Sequence, residues 1–189
     1  MAQWKKKRQI LRRYNQSAAV YDAQYCDEQE AKIKAALANI TPTKQDFILD
    51  VGCGTALLFP HLAEKTKFLV GIDVSRGILD KAKTRVKICQ NLAIVLADSD
   101  FLPLRKAIFH AAFAITMLQN TPQPLRTLEE MKRVTEKQAT IVVTGLRKSF
   151  SRQDFKQMLK QAELEIQVLK LDENRKEYIA QARKPRRKP

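Results

Sequence analysis

The chain has 189 residues, 44% apolar and 29% charged, with a formal net charge of +15. That length carries one domain with a full core, and the composition is globular rather than disordered. No apolar run approaches a membrane span, no apolar segment follows the basic start as in a secretory signal, and Cys26, Cys53 and Cys89 fit no metal or disulfide spacing. The simplest expectation is a reduced cytoplasmic protein without metal.

The first thirteen residues hold Lys5, Lys6, Lys7, Arg8, Arg12 and Arg13 and no acid. Ser17 then reads as the N-cap of a helix to Ala38, stopped by Thr41-Pro42-Thr43. The next hundred residues alternate. The pattern predicts strands over 47–51, 68–72, 92–96, 111–116 and 140–144, with helices over 57–65, 75–86, 124–135 and 151–161. Two last strands, 166–171 and 178–182, are joined by a polar turn at 172–174 and must be antiparallel to each other. The chain ends on Arg183, Lys184, Arg186, Arg187 and Lys188, again without an acid. Alternation of this kind predicts an α/β fold: a Rossmann-like, seven-stranded, mostly parallel sheet with an antiparallel last strand and helices on both faces.

Basic arms at 5–13 and 183–188 on a near-neutral body suit a polyanion, since phosphate contacts dominate nucleic-acid affinity. Trp4 and Tyr14 flank the first arm, where they can stack on bases. RNA is the expected partner. Solvated termini, or an amphipathic helix on anionic lipid, are the alternatives.

The chemistry sits at strand ends, where open α/β sheets bind ligands. The first strand runs as Ile48-Leu49-Asp50-Val51-Gly52-Cys53-Gly54-Thr55-Ala56. Gly52 and Gly54 allow a sharp turn close to a ligand, and the helix after Ala56 is expected to aim its N-terminus there. A dinucleotide fingerprint needs Gly or Ala where this chain has Leu57. Asp50 beside the turn suits a cationic ligand instead. The second strand ends in Asp73-Val74-Ser75, an acid spaced to hold two ribose hydroxyls. The third ends in Asp98-Ser99-Asp100, where an acid accepts from an adenine amine. The fourth ends in Thr116-Met117-Leu118-Gln119-Asn120-Thr121-Pro122. Each acid alone also reads as a helix cap or turn former.

Together these segments resemble the class I S-adenosylmethionine-dependent methyltransferases, over roughly 14–182. The resemblance implies that Asp50, Gly52, Cys53 and Gly54 surround the methionine part. It implies that Asp73 with Val74 holds the ribose, that Asp98 with the Ser99 backbone holds adenine, and that donor and acceptor meet near Thr116. Residues 14–40 look like the family's helical lid, with Tyr14, Tyr21 and Tyr25 over the site; the basic arm 1–13 and tail 183–189 flank the domain. Ala56 replaces a frequent third glycine. His110 replaces a frequent acid and is expected to pack; His61 is read as structural. No cysteine lies near the fourth or fifth strand, so cytosine C5 chemistry is not expected. Gln119, Asn120 and Pro122 are the catalytic candidates. They are similar to an amino-methyltransferase signature but stretched and without its aromatic; the alternative is a plain turn. The expected function is methylation of rRNA or tRNA, at an exocyclic base nitrogen such as that of cytosine. A small-molecule or protein methyltransferase, or a non-catalytic RNA-binding fold, are the alternatives.

Overall fold

The computed structural model describes residues 2–18, 21–87, 90–174 and 176–185. Its seven strands are β1 (Phe47–Val51), β2 (Phe68–Asp73), β3 (Leu92–Leu96), β4 (Phe109–Ala114), β5 (Thr135–Leu146), β6 (Glu165–Asp172) and β7 (Glu177–Arg183). They form one sheet in the order β3-β2-β1-β4-β5-β7-β6, parallel from β3 to β5, with β7 antiparallel to both neighbours. The predicted fold class is the observed one.

Period-two alternation splits the core into two layers. Ile48 of β1 turns to one face, with Ile33, Leu62, Leu79 and Phe113. Leu49 and Val51 turn to the other, with Leu128, Met131, Phe155 and Leu159. The first layer is covered by α2 (Tyr21–Leu37), α3 (Phe59–Leu62) and α4 (Arg76–Val86), the second by α5 (Pro124–Val134) and α6 (Arg152–Gln161). From β1 the chain winds outward through β2 and β3, then returns to place β4 on the other side of β1. That reversal is the switch point where a crevice opens at the strands' carboxyl ends.

Local chemistry corrects the expected boundaries. The first helix is α1 (Ala2–Ser17), so the basic arm is helical; Ser17 ends it rather than capping a successor, its hydroxyl reaching back to the Tyr14 carbonyl at 3.4 Å. The helix expected over 57–65 contracts to the four residues of α3 and a 3-10 turn at Ala63–Lys65, because turns run on through residue 58 and Ala56 adopts a left-handed φ of 64°. A helix that short offers no N-terminal dipole to a ligand. Ser75 does cap α4, its hydroxyl accepting from Ile78 N–H at 3.3 Å, and Ser151 caps α6 through Asp154 N–H at 3.0 Å. β5 starts earlier than expected, Thr135 pairing with Phe109 ahead of a bulge in β5, where the register jumps to Thr140 opposite Ala111.

Candidate functional site

The glycine turn folds back on β2: Gly52 and Cys53 N–H both donate to the Ile72 carbonyl, at 2.7 and 3.0 Å. Gly52 (φ 73°) and Gly54 (φ 57°) both need the left-handed region, but for different reasons. A Cβ on Gly52 would lie 2.4 Å from Met117 Cγ, so its approach is to a side chain of the protein rather than to a ligand. A Cβ on Gly54 would meet nothing within 4 Å, since this glycine faces open space. Thr55 ties the turn to α2: its hydroxyl donates to Asp22 Oδ1 at 2.5 Å, and Arg85 of α4 joins the Thr55 carbonyl to Asp22 Oδ2 at 2.9 and 2.8 Å.

Gly54 opens onto a cavity of about 800 Å³, counted to its open mouth, at the carboxyl edge of the sheet. Gly52, Asp73, Val74, Asp98, Ser99, Thr116, Asn120 and Pro122 line it, and α1 adds Lys7, Ile10 and Tyr14 from above. Asp73, at the end of β2, accepts Gly54 N–H on one oxygen (3.1 Å) and Ser75 N–H on the other (2.8 Å). Burial raises its carboxyl above the usual range, against the lowering effect of its backbone donors. Asp50 and Cys53 line a neighbouring cavity of about 380 Å³ behind the turn. Burial, with Asp73 nearby, pushes the Asp50 carboxyl up to about 8. Burial and the same two carboxylates raise the Cys53 thiol well above its ordinary value, which leaves it unreactive.

Thr116 is the strained point of the site. A β-branched residue at φ 57° is a true outlier, and its surroundings hold it there. Its N–H donates to Thr144 Oγ1 at 2.8 Å, and its carbonyl accepts the Gln119 and Asn120 side-chain amides at 2.8 and 3.0 Å. Its hydroxyl donates to Gln29 at 3.2 Å and lies 3.4 Å from the buried Lys32 ammonium, which Glu28 holds at 2.7 Å. Gln119 therefore turns back to brace the strand end and lines neither cavity, whereas Asn120 and Pro122 face the ligand space. Asn120 Oδ1 accepts from Arg13 of α1 at 3.1 Å.

The lid tyrosines divide. Tyr14 lines the cavity, and burial raises its phenol, keeping it a neutral donor. Tyr25 is exposed and lines neither cavity. The Tyr21 side chain lies outside the described residues, as do Cys89, Arg186, Arg187 and Lys188. Lys184 is committed to the Thr135 carbonyl at 2.8 Å, and Arg183 ends β7, so this part of the tail belongs to the sheet. His110 sits at the opposite edge, accepting from Phe47 N–H at 3.0 Å and stacking on that ring. His61 pairs with Glu30 at 2.8 Å. Among the described residues there is no metal-ligand cluster, and no helix is long and apolar enough to cross a membrane.

Three contributors escaped the motif reading: Lys7, Arg13 and Lys32. Lys7 had a signal. Lys7, Ile10, Leu11 and Tyr14 recur at i, i+3, i+4, i+7, the stripe of a helix laid on a surface.

A cavity bordered by an uncovered glycine and two strand-end carboxylates fits a nucleoside carrying a cationic chain. Comparison with known proteins agrees. A malonyl-[acyl-carrier protein] O-methyltransferase of Marinomonas sp. (strain MWYL1) is 29% identical over 142 residues, 74% of this chain and 52% of that protein. The 18S rRNA (guanine-N(7))-methyltransferase of Bos taurus is 32% identical over 77 residues, 40% of this chain and 26% of that protein. The chain spans about half the length of the curated relatives it matches over most of its own. A Haloferax volcanii putative methyltransferase, solved in complex with the Trm112 methyltransferase activator, shares the fold with a TM-score of 0.82 at 15% identity, over 92% of this chain and 98% of that one. The methyltransferase-domain family model matches residues 49–143, half of the chain, from the first strand through the fifth. The chain belongs to that family, the class I S-adenosylmethionine-dependent methyltransferases.

Proposed function

We propose that the chain transfers a methyl group from S-adenosylmethionine to RNA, at an exocyclic base nitrogen. One observation carries the reading: the helix that covers the cavity is also the basic arm. The inner stripe of α1 lines the site, while Lys5, Lys6, Arg8 and Arg12 remain exposed on its outer side. A polyanion held on that face lies beside the cavity mouth. The 77-residue match to an rRNA (guanine-N(7))-methyltransferase supports RNA as the acceptor, though that protein's target is a ring nitrogen.

When bound, the cofactor supplies an electrophilic methyl on a sulfonium, which passes to an acceptor lone pair by in-line displacement. The chain's residues bind and orient. Asp73 keeps lone pairs for ribose hydroxyls beyond its backbone donors. Asp98 accepts the adenine amine. Asp50, ionised once a sulfonium beside it favours that form, supplies negative charge behind the glycine turn. At the acceptor end Thr116, Met117, Asn120, Thr121 and Pro122 carry no carboxylate and no histidine. That end therefore positions the acceptor rather than deprotonating it, which suits an amine that sheds its proton to water after transfer. Asn120 Oδ1, now on Arg13, is the acceptor atom best placed to take an amine N–H.

A second reading, a small-molecule or carrier-protein acceptor, is favoured by the malonyl-[acyl-carrier protein] O-methyltransferase that aligns with 74% of this chain. Methyl-labelled cofactor offered with total RNA, or with metabolites and carrier proteins, separates the two. The RNA reading expects label in RNA nucleosides; label confined to the other pools refutes it.

A further inference from the structure

Lys7 reaches from the inner face of α1 into the adenine end of the cavity. Its ammonium stands 2.6 Å from Asp98 Oδ2 and 2.5 Å from Asp100 Oδ2, its side chain is only 14% exposed, and the Phe101 ring centre is 5.6 Å away. Asp98 has committed its other oxygen, Oδ1, to Asp100 N–H at 3.0 Å. Oδ2 is the less encumbered oxygen for a ligand, and Lys7 is on it. Asp100 is fully buried and held on its far side by the Thr127 hydroxyl at 2.6 Å.

An ammonium only donates, and so does the exocyclic amine of adenine towards a carboxylate. Each oxygen has a second lone pair, but the ammonium and the amine both come to Oδ2 from the cavity and compete for that side of it. The lysine carries a full charge and is tethered, which makes it the stronger single contact; the nucleoside prevails only through its additional contacts with Asp73 and the glycine turn. Resting on the cofactor reading above, we propose that Lys7 is a built-in competitor of the cofactor. In the cofactor-free chain it takes the adenine-amine position on Asp98, and cofactor entry displaces it to solvent. Once displaced, its ammonium reaches solvent at the edge of α1, so a loaded chain offers a polyanion one more exposed cation.

The test uses S-adenosylhomocysteine, which keeps the adenine and lacks the transferable methyl. Lys7→Ala and Lys7→Gln should bind it about tenfold more tightly than the unaltered chain by calorimetry, the glutamine keeping a donor for Asp100 and guarding against misfolding. In the unaltered chain, amine acylation read by mass spectrometry should modify Lys7 several-fold faster when S-adenosylhomocysteine saturates the protein, with exposed Lys5 and Lys6 as references. Weaker binding by both variants, or slower or unchanged acylation of Lys7, overturns the proposal and makes the lysine a fixed wall of the site. Failure of the unaltered chain to bind S-adenosylhomocysteine overturns the cofactor reading instead.

Discussion

Replacing Asp73 by asparagine separates the bracing of the turn that this carboxylate performs from the ribose binding proposed for it. A carboxylate has about four acceptor positions. Gly54 N–H and Ser75 N–H take one on each oxygen and Val74 N–H also acts on the carboxylate, leaving about one or two toward the cavity. Asparagine keeps one oxygen, so one backbone donor and one ribose hydroxyl each lose an acceptor. The backbone loss reads out as stability, about 1–3 kcal/mol for an unsatisfied buried group. The hydroxyl loss reads out as affinity, about 1.5–3 kcal/mol for a bond to a charged acceptor, or roughly 10- to 150-fold. Calorimetry with S-adenosylhomocysteine and its 2′-deoxy analogue completes a cycle: removing the hydroxyl should weaken binding to the unaltered chain and change little in Asp73→Asn. The reasoning fails if the variant melts normally and binds S-adenosylhomocysteine within twofold of the parent.

Asp50 gives a pH test. Its carboxyl, raised to about 8, is protonated in the free chain near pH 6, whereas a sulfonium beside it favours the ionised form, so binding releases a proton. Affinity for S-adenosylmethionine should climb by up to about tenfold per unit from pH 6 to 8 and then level, with a shallower climb for S-adenosylhomocysteine; equal slopes would sink the charge role. Gly52→Ala combines a collision with Met117 and a left-handed φ, together about 2–5 kcal/mol in denaturant unfolding. Gly52→Ala with Met117→Ala should recover only the collision part, and full recovery would show that the backbone conformation costs nothing. Changing Lys5, Lys6, Arg8 and Arg12 to alanine should lower the slope of log affinity against log salt for single-stranded RNA by about 0.7 for each phosphate no longer neutralised, and an unmoved slope removes the outer face of α1 from RNA binding.

The fold was legible because the strands of the parallel half are short apolar runs, all but the fourth ended by an acid or a glycine, and such runs have little alternative to a sheet covered on both faces. The strand-end acids were legible for the same reason: Asp73 and Asp98 stand where backbone direction alone carries a side chain to the carboxyl edge. What the sequence left obscure depends on partners distant in the chain. Nothing near Gly52 says that its missing Cβ makes room for Met117, sixty-five residues on. Nothing near Thr116 says that Lys32 and Gln29 of α2 will hold its hydroxyl. Gln119 and Asn120 are adjacent amides with equal claims on a substrate; both donate to the Thr116 carbonyl, and only the turn's geometry leaves Asn120 also lining the cavity with its oxygen on Arg13.

Charge is where sequence reading and structure differ most. Counted as composition, the first thirteen residues are a uniform basic arm, and the ordinary inference is a solvated polyanion binder. Wound into a helix, the same cations fall on two sides. Those at 5, 6, 8 and 12 face water, where their mutual repulsion is screened within about a Debye length of 8–10 Å. Lys7, on the stripe with Ile10, Leu11 and Tyr14, must enter a partly buried space, which a lysine does at acceptable cost only beside carboxylates. Asp98 and Asp100 provide them, and they raise the Lys7 ammonium above its usual range despite the desolvation that acts to lower it. Helix periodicity thus splits one charge cluster into an exposed outer face, proposed to hold a polyanion, and an inner lysine, proposed to latch the nucleoside site. Because both are on α1, any ligand that moves Lys7 changes the charge presented to the other.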